Sequence, residues 1–338
     1  MRVGFNPNKD KTLPKSDFTH QVIIPVYIPH QEDYFKDSFQ ILRFCLESLI
    51  TTSHTKTYIT VVNNGSCNEV ILYFNQLQQE GKIQEVIHTT AIGKLNAVLK
   101  GMTGHQFPLI TITDADVMFL NAWQKATYEV FEAFSKAGAI CAAPSSKVLK
   151  QSTSSLIVSY LFSSSLKFTK VLNPKALQMF ATSIGAPAFY SKVHLEKYLT
   201  ISKKNSKAVV GAGHFMTTYR GEIFDKLKTR FTSYSLGGNS EDNLLDEPVN
   251  DLGYWRLATA DNYVLHLGNV VESWMQSELD TLKKCEDLEV FLRVENKKKP
   301  TRNWAFFNKI IFSFVARKPI WKLFLQFKGL TKEEAQNY

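Results

Sequence analysis

Cysteine is scarce in this sequence. The four cysteines among 338 residues are Cys45, Cys67, Cys141 and Cys285, and no two of them form a C-x-x-C pair. This spacing argues against a zinc knuckle and against a disulfide framework. Scattered, reduced thiols are typical of a cytoplasmic protein. We therefore expect that location, and a fold that depends on an ordinary hydrophobic core.

Long apolar runs are also missing. No stretch contains the roughly 18 consecutive apolar residues that a membrane-spanning helix needs. Residues 1–20 form a polar lead-in without the apolar segment of a signal peptide. We therefore expect neither a spanning helix nor a secretory signal.

Acidic residues are missing from one region. Residues 297–330 contain nine Lys or Arg and no Asp or Glu, whereas residues 1–296 contain 30 basic and 29 acidic residues, so the net charge of +9 is almost entirely local. A nucleic-acid-binding protein would spread its positive charge over a face, and the aromatic residues of this region have helical spacing. We expect no nucleic-acid partner, but an anionic partner for this region.

The first two-thirds of the chain alternate between apolar strand patterns and amphipathic helix patterns. This alternation predicts an α/β fold with a doubly wound, mostly parallel sheet and helices on both faces. Residues 150–168 are rich in Ser and are expected to form a surface insertion or loop-helix. Residues 209–227 are expected to form a strand, a Gly-rich turn and then a helix. The predicted strands of the first half are 21–28, 57–64, 83–90 and 107–116, and the predicted helices are 34–51, 68–81 and 93–102.

Polar residues stand where three predicted strands end. Pro25 and Tyr27 end the first strand, Asn63 ends the second, and the pair Asp114 and Asp116 ends a later one. The carboxyl ends of parallel strands meet at one edge of the sheet, where ligands bind. Two carboxylates so close together repel each other unless a cation lies between them. This edge therefore predicts a ligand crevice with a site for a divalent cation.

Later motifs permit two interpretations each. The Gly-rich turn with Gly211 and Gly213 favours tight packing as much as phosphate binding, and the Rossmann fingerprint is absent. Glu241 and Asp242 begin a predicted helix, where a carboxylate either complements the helix dipole or acts as a general base. His266 lies in a predicted strand as a core residue or a metal ligand.

The order of these motifs resembles that of the family 2 glycosyltransferases with the GT-A fold. The motifs are "IIPVY", "VVNNGS", "GKLNAVLKG", "DAD", "GAGHF", "ED" and a late His, and the resemblance covers about residues 20–268. It implies a GT-A catalytic domain at 21–268, with a nucleotide-sugar half at 21–145 and an acceptor half at 146–268. Beyond the span of the resemblance, the basic and aromatic composition of residues 269–338 predicts a C-terminal helical extension that docks on a membrane.

The resemblance also implies roles for individual residues and an inverting sugar transfer from a nucleotide-diphospho-sugar. A UDP-sugar is the default donor. Many relatives have Asp where this chain has Asn63 or Asn64, so the identity of the nucleotide base stays open. The cation would be Mn²⁺ or Mg²⁺. The implied sets are the nucleotide-sugar residues Pro25, Tyr27, Asn63, Lys94, Asn96 and Asp114, the metal or diphosphate contacts Asp116 and His266, the base Asp242, and the acceptor-side residues Gly211, Gly213 and Glu241.

Three other classes of protein share part of this pattern. A haloacid dehalogenase-type phosphatase also uses a D-x-D motif, but after its first core strand, whereas at least three predicted strands precede this one. A sugar nucleotidyltransferase should begin with a Gly-rich phosphate loop, which "QVIIPVYIPHQEDY" lacks. A membrane-docked nucleotide-sugar-binding protein without turnover is the third class.

The C-terminal region is predicted to form two amphipathic helices. At about 100° per residue, residues 301–317 place Arg302, Lys309, Ser313 and Arg317 on one stripe, opposite an apolar face. A second helix follows Pro319. The apolar face would either pack on the catalytic domain or bind anionic lipid. Membrane docking would place the protein at the inner face of the plasma membrane, with a lipid-linked saccharide of a surface glycan as acceptor. The apolar face consists of Trp304, Phe307, Ile310, Ile311, Phe314 and Val315.

Overall fold

The computed structural model describes residues 4–14, 16–227, 229–285 and 302–338. Its strands are β1 (His20–Val26), β2 (Thr57–Asn63), β3 (Glu85–His88), β4 (Leu109–Thr113), β5 (Val117–Phe119), β6 (Ala137–Cys141), β7 (Leu166–Lys170), β8 (Lys197–Lys203), β9 (Ser206–Val210), β10 (Met216–Arg220), β11 (Trp255–Ala258) and β12 (Val264–His266). Its α-helices are α1 (Ser38–Thr52), α2 (Asn68–Gln79), α3 (Lys94–Gly101), α4 (Trp123–Ala133), α5 (Ser154–Ser159), α6 (Pro174–Ser183), α7 (Lys192–Glu196), α8 (Glu247–Asp251), α9 (Ser273–Thr281), α10 (Arg302–Val315), α11 (Lys318–Phe327) and α12 (Glu334–Asn337).

Ten strands form one sheet in the order β3-β2-β1-β4-β10-β6-β11-β9-β8-β7, and β12 pairs with β5 in a small second sheet. The pairings give seven strands one direction, while β7, β9 and β10 run the opposite way. The apolar residues of β1 are fully buried, as expected for a central strand that is covered on both faces. The predicted α/β fold with a mostly parallel sheet and flanking helices is confirmed.

The prediction of a helix directly after the Gly-rich turn at 211–213 is wrong. The chain instead forms β10, which inserts antiparallel between β4 and β6, and only then a 3₁₀ helix at Gly221–Lys226. Both faces of β10 are covered, and Thr217, Thr218 and Tyr219 are buried. A buried strand lacks the polar-apolar alternation that identifies a half-exposed strand from sequence.

The expected surface insertion or loop-helix at 150–168 contains a helix, but residues 153–157 lie inside the protein and not on its surface. Helix α5 forms there, but Ser154, Ser155 and the following Leu156 are buried. The Ser154 hydroxyl and the Ser155 backbone N–H both donate to Asn250 Oδ1, at 3.0 and 3.3 Å. Because these polar groups have a partner, a Ser-rich segment can lie inside the protein.

The two predicted C-terminal helices exist as α10 and α11. Helix α11 buries Trp321, Phe324 and Leu325 in the cluster that contains Leu257 of the sheet. Helix α10 contacts α5 and α8 and buries Ala305 and Val315. The side chain of Arg302 and the basic run 296–300 lie outside the described residues. None of the described helices has both the length and the apolar character required to cross a bilayer.

A buried polar network joins β1, β4 and α4 at the amino ends of the central strands. His20 Nδ1 lies 2.6 Å from the Tyr128 hydroxyl, and His20 Nε2 lies 2.6 Å from Thr111 Oγ1. Tyr128 also contacts His54 Nε2, at 2.9 Å. Burial, reinforced by the neighbouring His54, holds the pKa of His20 well below its usual value of 6.5. The ring is therefore neutral in the folded protein.

We expect the stability of the protein to fall on acidification because of His20. In the unfolded chain this residue takes up a proton near pH 6.5, whereas the folded protein keeps it neutral, so its contribution is present above that pH and is lost below it. For one such group, the free energy of unfolding decreases by about 1 kcal/mol between about pH 6.5 and about pH 5.5. Urea unfolding of the wild type and of His20→Gln at the two pH values measures this difference.

His20→Gln should be the less stable protein at neutral pH, but it should lose about 1 kcal/mol less than the wild type over that interval. The exposed His30 offers a matched control, since His30→Gln should keep the wild-type pH dependence. Parallel pH profiles for the wild type and His20→Gln would contradict the assignment.

Candidate active site

A crevice of about 510 Å³ opens at the carboxyl ends of β1, β2 and β4. Pro25 and Tyr27 form one wall, Asn64 lies next to them, and Asp114 and Asp116 close the end. We call this the first crevice. The structure thus brings together the polar ends of the three strands, as the parallel arrangement predicts.

The two aspartates of the "DAD" motif are held by backbone pairing. Asp114 N–H donates to Phe215 O at 2.8 Å, and Asp116 O accepts from Leu267 N–H at 2.7 Å. Pairing of β5 with β12 places His266 opposite Val117, so that His266 Nε2 lies 3.4 Å from Asp116 Oδ2. The motif and the late histidine, 150 residues apart in sequence, therefore meet in one place.

Asp116 has the properties of a cation ligand. Its Oδ1 atom is buried and has no hydrogen-bond partner. Burial raises the pKa of Asp116, His266 opposes that shift, and Asp114 adds to it. An ionised, unpartnered carboxylate oxygen is costly to bury unless a cation compensates it. The oxygen and imidazole donors of Asp116 and His266 fit a divalent metal ion.

Lys94, the first residue of α3, joins the first crevice to the acidic segment beyond it. Its Nζ lies 2.6 Å from Asp114 Oδ1 and 2.8 Å from Glu241 Oε1. Burial alone would lower the pKa of Lys94, but the two carboxylates outweigh that effect and raise the pKa above its usual value. The ammonium group therefore stays charged and holds the two carboxylates at fixed positions.

A second crevice, of about 290 Å³, shares Lys94 and Asp114 with the first. It is also lined by Gly213, His214, Glu241 and His266, and by apolar residues that are both aliphatic and aromatic. The aromatic residues are Phe180, Phe189, Tyr190 and Phe215. The two crevices thus meet at the "DAD" motif, which allows two ligands to lie side by side there.

Glu241 is held by two cationic groups. Besides Lys94, it has His214 Nδ1 at 3.4 Å, and His214 Nε2 lies 2.7 Å from Asp246 Oδ2. Burial would lower the pKa of His214, but hydrogen bonds to Asp246 and Glu241 raise it to about 9. The hydrogen bond from His214, opposed by burial and reinforced by Lys94, lowers the pKa of Glu241 to about 2. A carboxylate with this pKa is a weak proton acceptor near neutral pH.

Asp242 begins a π-helical turn, Asp242–Asp246, and lies beside Glu241 without lining either crevice. Its Oδ1 accepts a hydrogen bond of 2.8 Å from the neutral amide of Gln151. His214, Asp242 and Asp246 place ligand-type atoms within 4.8 Å of one another, but Arg256 Nη2 already lies 2.7 Å from Asp246 Oδ1. We interpret this group as an ion-pair network, because the guanidinium supplies the positive charge that a metal would bring.

The family model for glycosyl transferase family 2 matches residues 22–199, which is more than half of the chain. This chain belongs to glycosyl transferase family 2. A sequence search among curated proteins finds no match. The sheet and its helices form a GT-A-like fold.

Among solved structures, the chain is similar to S. aureus TarS. One structure of S. aureus TarS is 12% identical with a TM-score of 0.44, over 94% of this chain and 50% of that one. TarS 1–349 with UDP-GlcNAc is 13% identical with a TM-score of 0.43, over 92% and 82%. TarS 1–349 with UDP is 13% identical with a TM-score of 0.42, over 78% and 63%. The chain thus spans between half and about four-fifths of these TarS chains. At such distances the ligands of those structures are properties of TarS.

Two residues to which the family resemblance assigns a nucleotide role, Asn63 and Asn96, do not line the first crevice. The Asn63 side chain is buried, with Nδ2 3.0 Å from His88 Nδ1 and Oδ1 accepting from Ser66 N–H. The neighbouring Asn64 lines the first crevice instead. Asn96 uses both ends of its amide on the backbone of Thr232, at 2.8 and 2.9 Å. Asn96 therefore anchors the segment that carries Ser235 and Leu236 into the first crevice.

Gly211 does not line either crevice. Its backbone has φ +97°, and a Cβ at this position would lie 2.6 Å from Val148 O. Glycine is thus required for packing, which was one of the two interpretations from sequence. Gly213, two residues later, does line the second crevice.

Several residues of the site were not predicted from the sequence. His214 is part of the "GAGHF" motif itself, which could have identified it. Gln151, Asp246 and Arg256 reach the site only through the fold, and the Gln151 contact with Asp242 spans 91 positions. Ser235 and Leu236 belong to a segment without regular secondary structure.

Proposed function

We propose that this chain is an inverting glycosyltransferase that moves a sugar from a nucleotide-diphospho-sugar to a hydroxyl group of a saccharide. The observation that carries the proposal is the meeting of two crevices at Lys94 and Asp114, with Asp116 in the first crevice and Glu241, the residue before Asp242, in the second. The first crevice would hold the donor, with a UDP-sugar as the default. The second would hold the acceptor.

On the donor side, Asp116 and His266 would hold a divalent cation, with Asp114 beside them. When bound, the cation neutralises the negative charge of the diphosphate leaving group. The imidazole of His266 favours Mn²⁺ over Mg²⁺, which prefers oxygen ligands. Lys94 places a further positive charge at the junction of the crevices, where it can stabilise the same leaving group.

On the acceptor side, Asp242 would take the proton from the attacking hydroxyl. Its partner Gln151 is neutral and can orient the carboxylate without removing its negative charge. Glu241, by contrast, is held by Lys94 and His214. The two carboxylates thus have separate roles, with Asp242 as the base and Glu241 as the link to the donor side. Direct attack by the activated hydroxyl inverts the anomeric centre.

The exposed surface of helix α10 supports the proposal that the protein docks on the inner face of the plasma membrane. Six large apolar side chains of this helix are exposed, from 70% for Trp304 to 45% for Ile311, although the helix packs on the protein through Ala305 and Val315. Arg317 lies over the Phe314 ring, 5.1 Å from its centroid. Exposed apolar area together with cations is typical of an interfacial helix on anionic lipid. We call the six residues the aromatic surface: Trp304, Phe306, Phe307, Ile310, Ile311 and Phe314.

A lipid-linked saccharide is the acceptor that fits this arrangement, in the synthesis of a surface glycan. Helix α10 contacts α8, and Lys309 Nζ forms a 2.6 Å ion pair with Asp251 Oδ1 at the end of α8. Helix α8 directly follows the π-helical turn that carries Asp242. The aromatic surface and the base are therefore joined by one short helix.

Two alternatives make different predictions. Family membership and the position of "DAD" after β4 disfavour the haloacid dehalogenase-type phosphatase. A nucleotide-sugar-binding protein without turnover would bind the donor with metal but form no product. Donor binding and product formation must therefore be measured separately.

Asp116→Asn should abolish the metal-dependent part of nucleotide-sugar binding and leave the fold intact, because the amide is a weaker cation ligand at the same position. Calorimetric titration of UDP-, GDP- and dTDP-sugars, with and without Mn²⁺, measures the metal-dependent binding and identifies the nucleotide that the protein prefers. Asp17→Asn, an exposed aspartate outside both crevices, is the control. Wild-type affinity in Asp116→Asn would remove the metal assignment.

Asp242→Asn should lower turnover at least about a hundredfold with little change in donor affinity, because the amide cannot accept the proton. Glu241→Gln should weaken donor binding as well, since the ion pair with Lys94 is lost. Initial rates and donor dissociation constants of both variants separate the two roles. A larger turnover loss in Glu241→Gln, or a product with retained anomeric configuration, would reverse the assignment.

Replacing three residues of the aromatic surface, in Trp304→Ser/Phe307→Ser/Phe314→Ser, should release the protein from anionic vesicles while its melting temperature stays near the wild-type value. Flotation with phosphatidylglycerol vesicles at low and high salt measures binding. The control is Leu72→Ser/Leu172→Ser, which removes apolar side chains that are equally exposed elsewhere. If the wild-type protein does not bind the vesicles at low salt, the proposal of a lipid-linked acceptor loses its main support.

A further inference from the structure

The end of helix α6 lies against the strand that carries His266. Gly268, two residues after His266, has φ +72°, and a Cβ at this position would lie 2.7 Å from Ser183 O. Any larger residue would push the two segments apart, so glycine permits this approach. Ser183, the last residue of α6, is thereby placed beside the imidazole of His266.

Two phenylalanines fix the plane of the imidazole. The ring centroids of Phe180 and Phe215 lie 5.6 and 5.5 Å from that of His266, with interplanar angles of 78° and 89°. The two phenyl rings also stack on each other, at 5.4 Å and 26°. Because edge-to-face contacts are directional, this cradle limits rotation of the His266 ring.

The hydrogen bonds of Ser183 determine which imidazole nitrogen carries the proton. Its Oγ donates to Phe180 O at 2.9 Å, and the same Oγ lies 2.9 Å from His266 Nδ1. A hydroxyl group has a single proton, which the Phe180 carbonyl receives. Ser183 Oγ must then accept from His266 Nδ1–H. The lone pair of the neutral ring is left on Nε2, the atom that faces Asp116.

We propose that Ser183 is a positioning residue that selects the Nδ1–H tautomer of His266 and so presents the Nε2 lone pair to a divalent cation at Asp116. The inference rests on the proposed metal role of His266. Ser183 itself touches neither the cation nor the donor. Hydrogen-bond partners of this kind orient metal-binding histidines and increase their basicity, and their loss weakens metal affinity about 10- to 100-fold.

The test is a Mn²⁺ titration followed by electron paramagnetic resonance, which detects free Mn²⁺, on full-length protein without substrate. Ser183→Ala should bind Mn²⁺ about 10- to 100-fold more weakly than the wild type. Ser183→Thr, which retains a hydroxyl group, should restore most of the affinity. The control is Thr182→Ala, at the exposed neighbouring position. His266→Ala, measured in parallel, tests the metal role itself.

The outcomes separate the two levels of the proposal. If His266→Ala binds Mn²⁺ as the wild type does, the proposed metal role of His266 fails. If His266→Ala weakens binding but Ser183→Ala does not, only the role of Ser183 fails. A ¹⁵N–¹H spectrum of histidine-labelled wild type with Mg²⁺ needs no variant to fold. It should show a proton on Nδ1 of His266, and a proton on Nε2 would overturn the inference.

Discussion

The ion pair between Arg256 and Asp246 supports the acidic segment that carries Glu241 and Asp242. Both side chains are fully buried and their atoms lie 2.7 Å apart, in a place where either charge alone would be strongly destabilising. Arg256 also donates to Gln151 O and Ala212 O, at 2.9 and 2.6 Å. From this pair one connection leads through Gln151 to Asp242 and another through His214 to Glu241. The orientation of both acidic residues therefore depends on a single guanidinium in β11.

A row of charged side chains of alternating sign runs from the buried Arg256 to Asp114 of the "DAD" motif. Each contact pairs a cationic group with a carboxylate, so the row as a whole carries little net charge although it is largely buried. Such a row resists the movement of any one member, because a displaced charge would leave two neighbours without compensation. The row thus holds the first and second crevices in a fixed relation before any ligand binds. The row runs Arg256, Asp246, His214, Glu241, Lys94 and Asp114.

The parts that sequence could predict are those that local patterns determine. Strands β1, β2 and β4 are apolar runs that end in polar residues, which located Asp114 and Asp116 and, through the family resemblance, His266. Strand β10 was missed because its place between β4 and β6 depends on pairing with residues about 80 to 110 positions away. Asn96 and Asn63 were assigned to the nucleotide by motif alone, and motif order does not show which way an amide points. The partners of Glu241 and Asp242 are also far from them in the sequence, so local patterns could not predict those contacts either.

The attachment of α10 to α8 limits the reach of the enzyme. A bilayer seated on the aromatic surface, as proposed, would be separated from the turn that carries Asp242 by at least the thickness of α10, roughly 10 Å. A hydroxyl group brought to Asp242 would then belong to one of the first sugars above the lipid headgroups, since the far end of a long glycan would have to fold back toward the bilayer. Under the proposed membrane docking, the architecture would suit an enzyme that acts early on a short, anchored chain, and the distance between α10 and Asp242 would limit the length of product that it can extend.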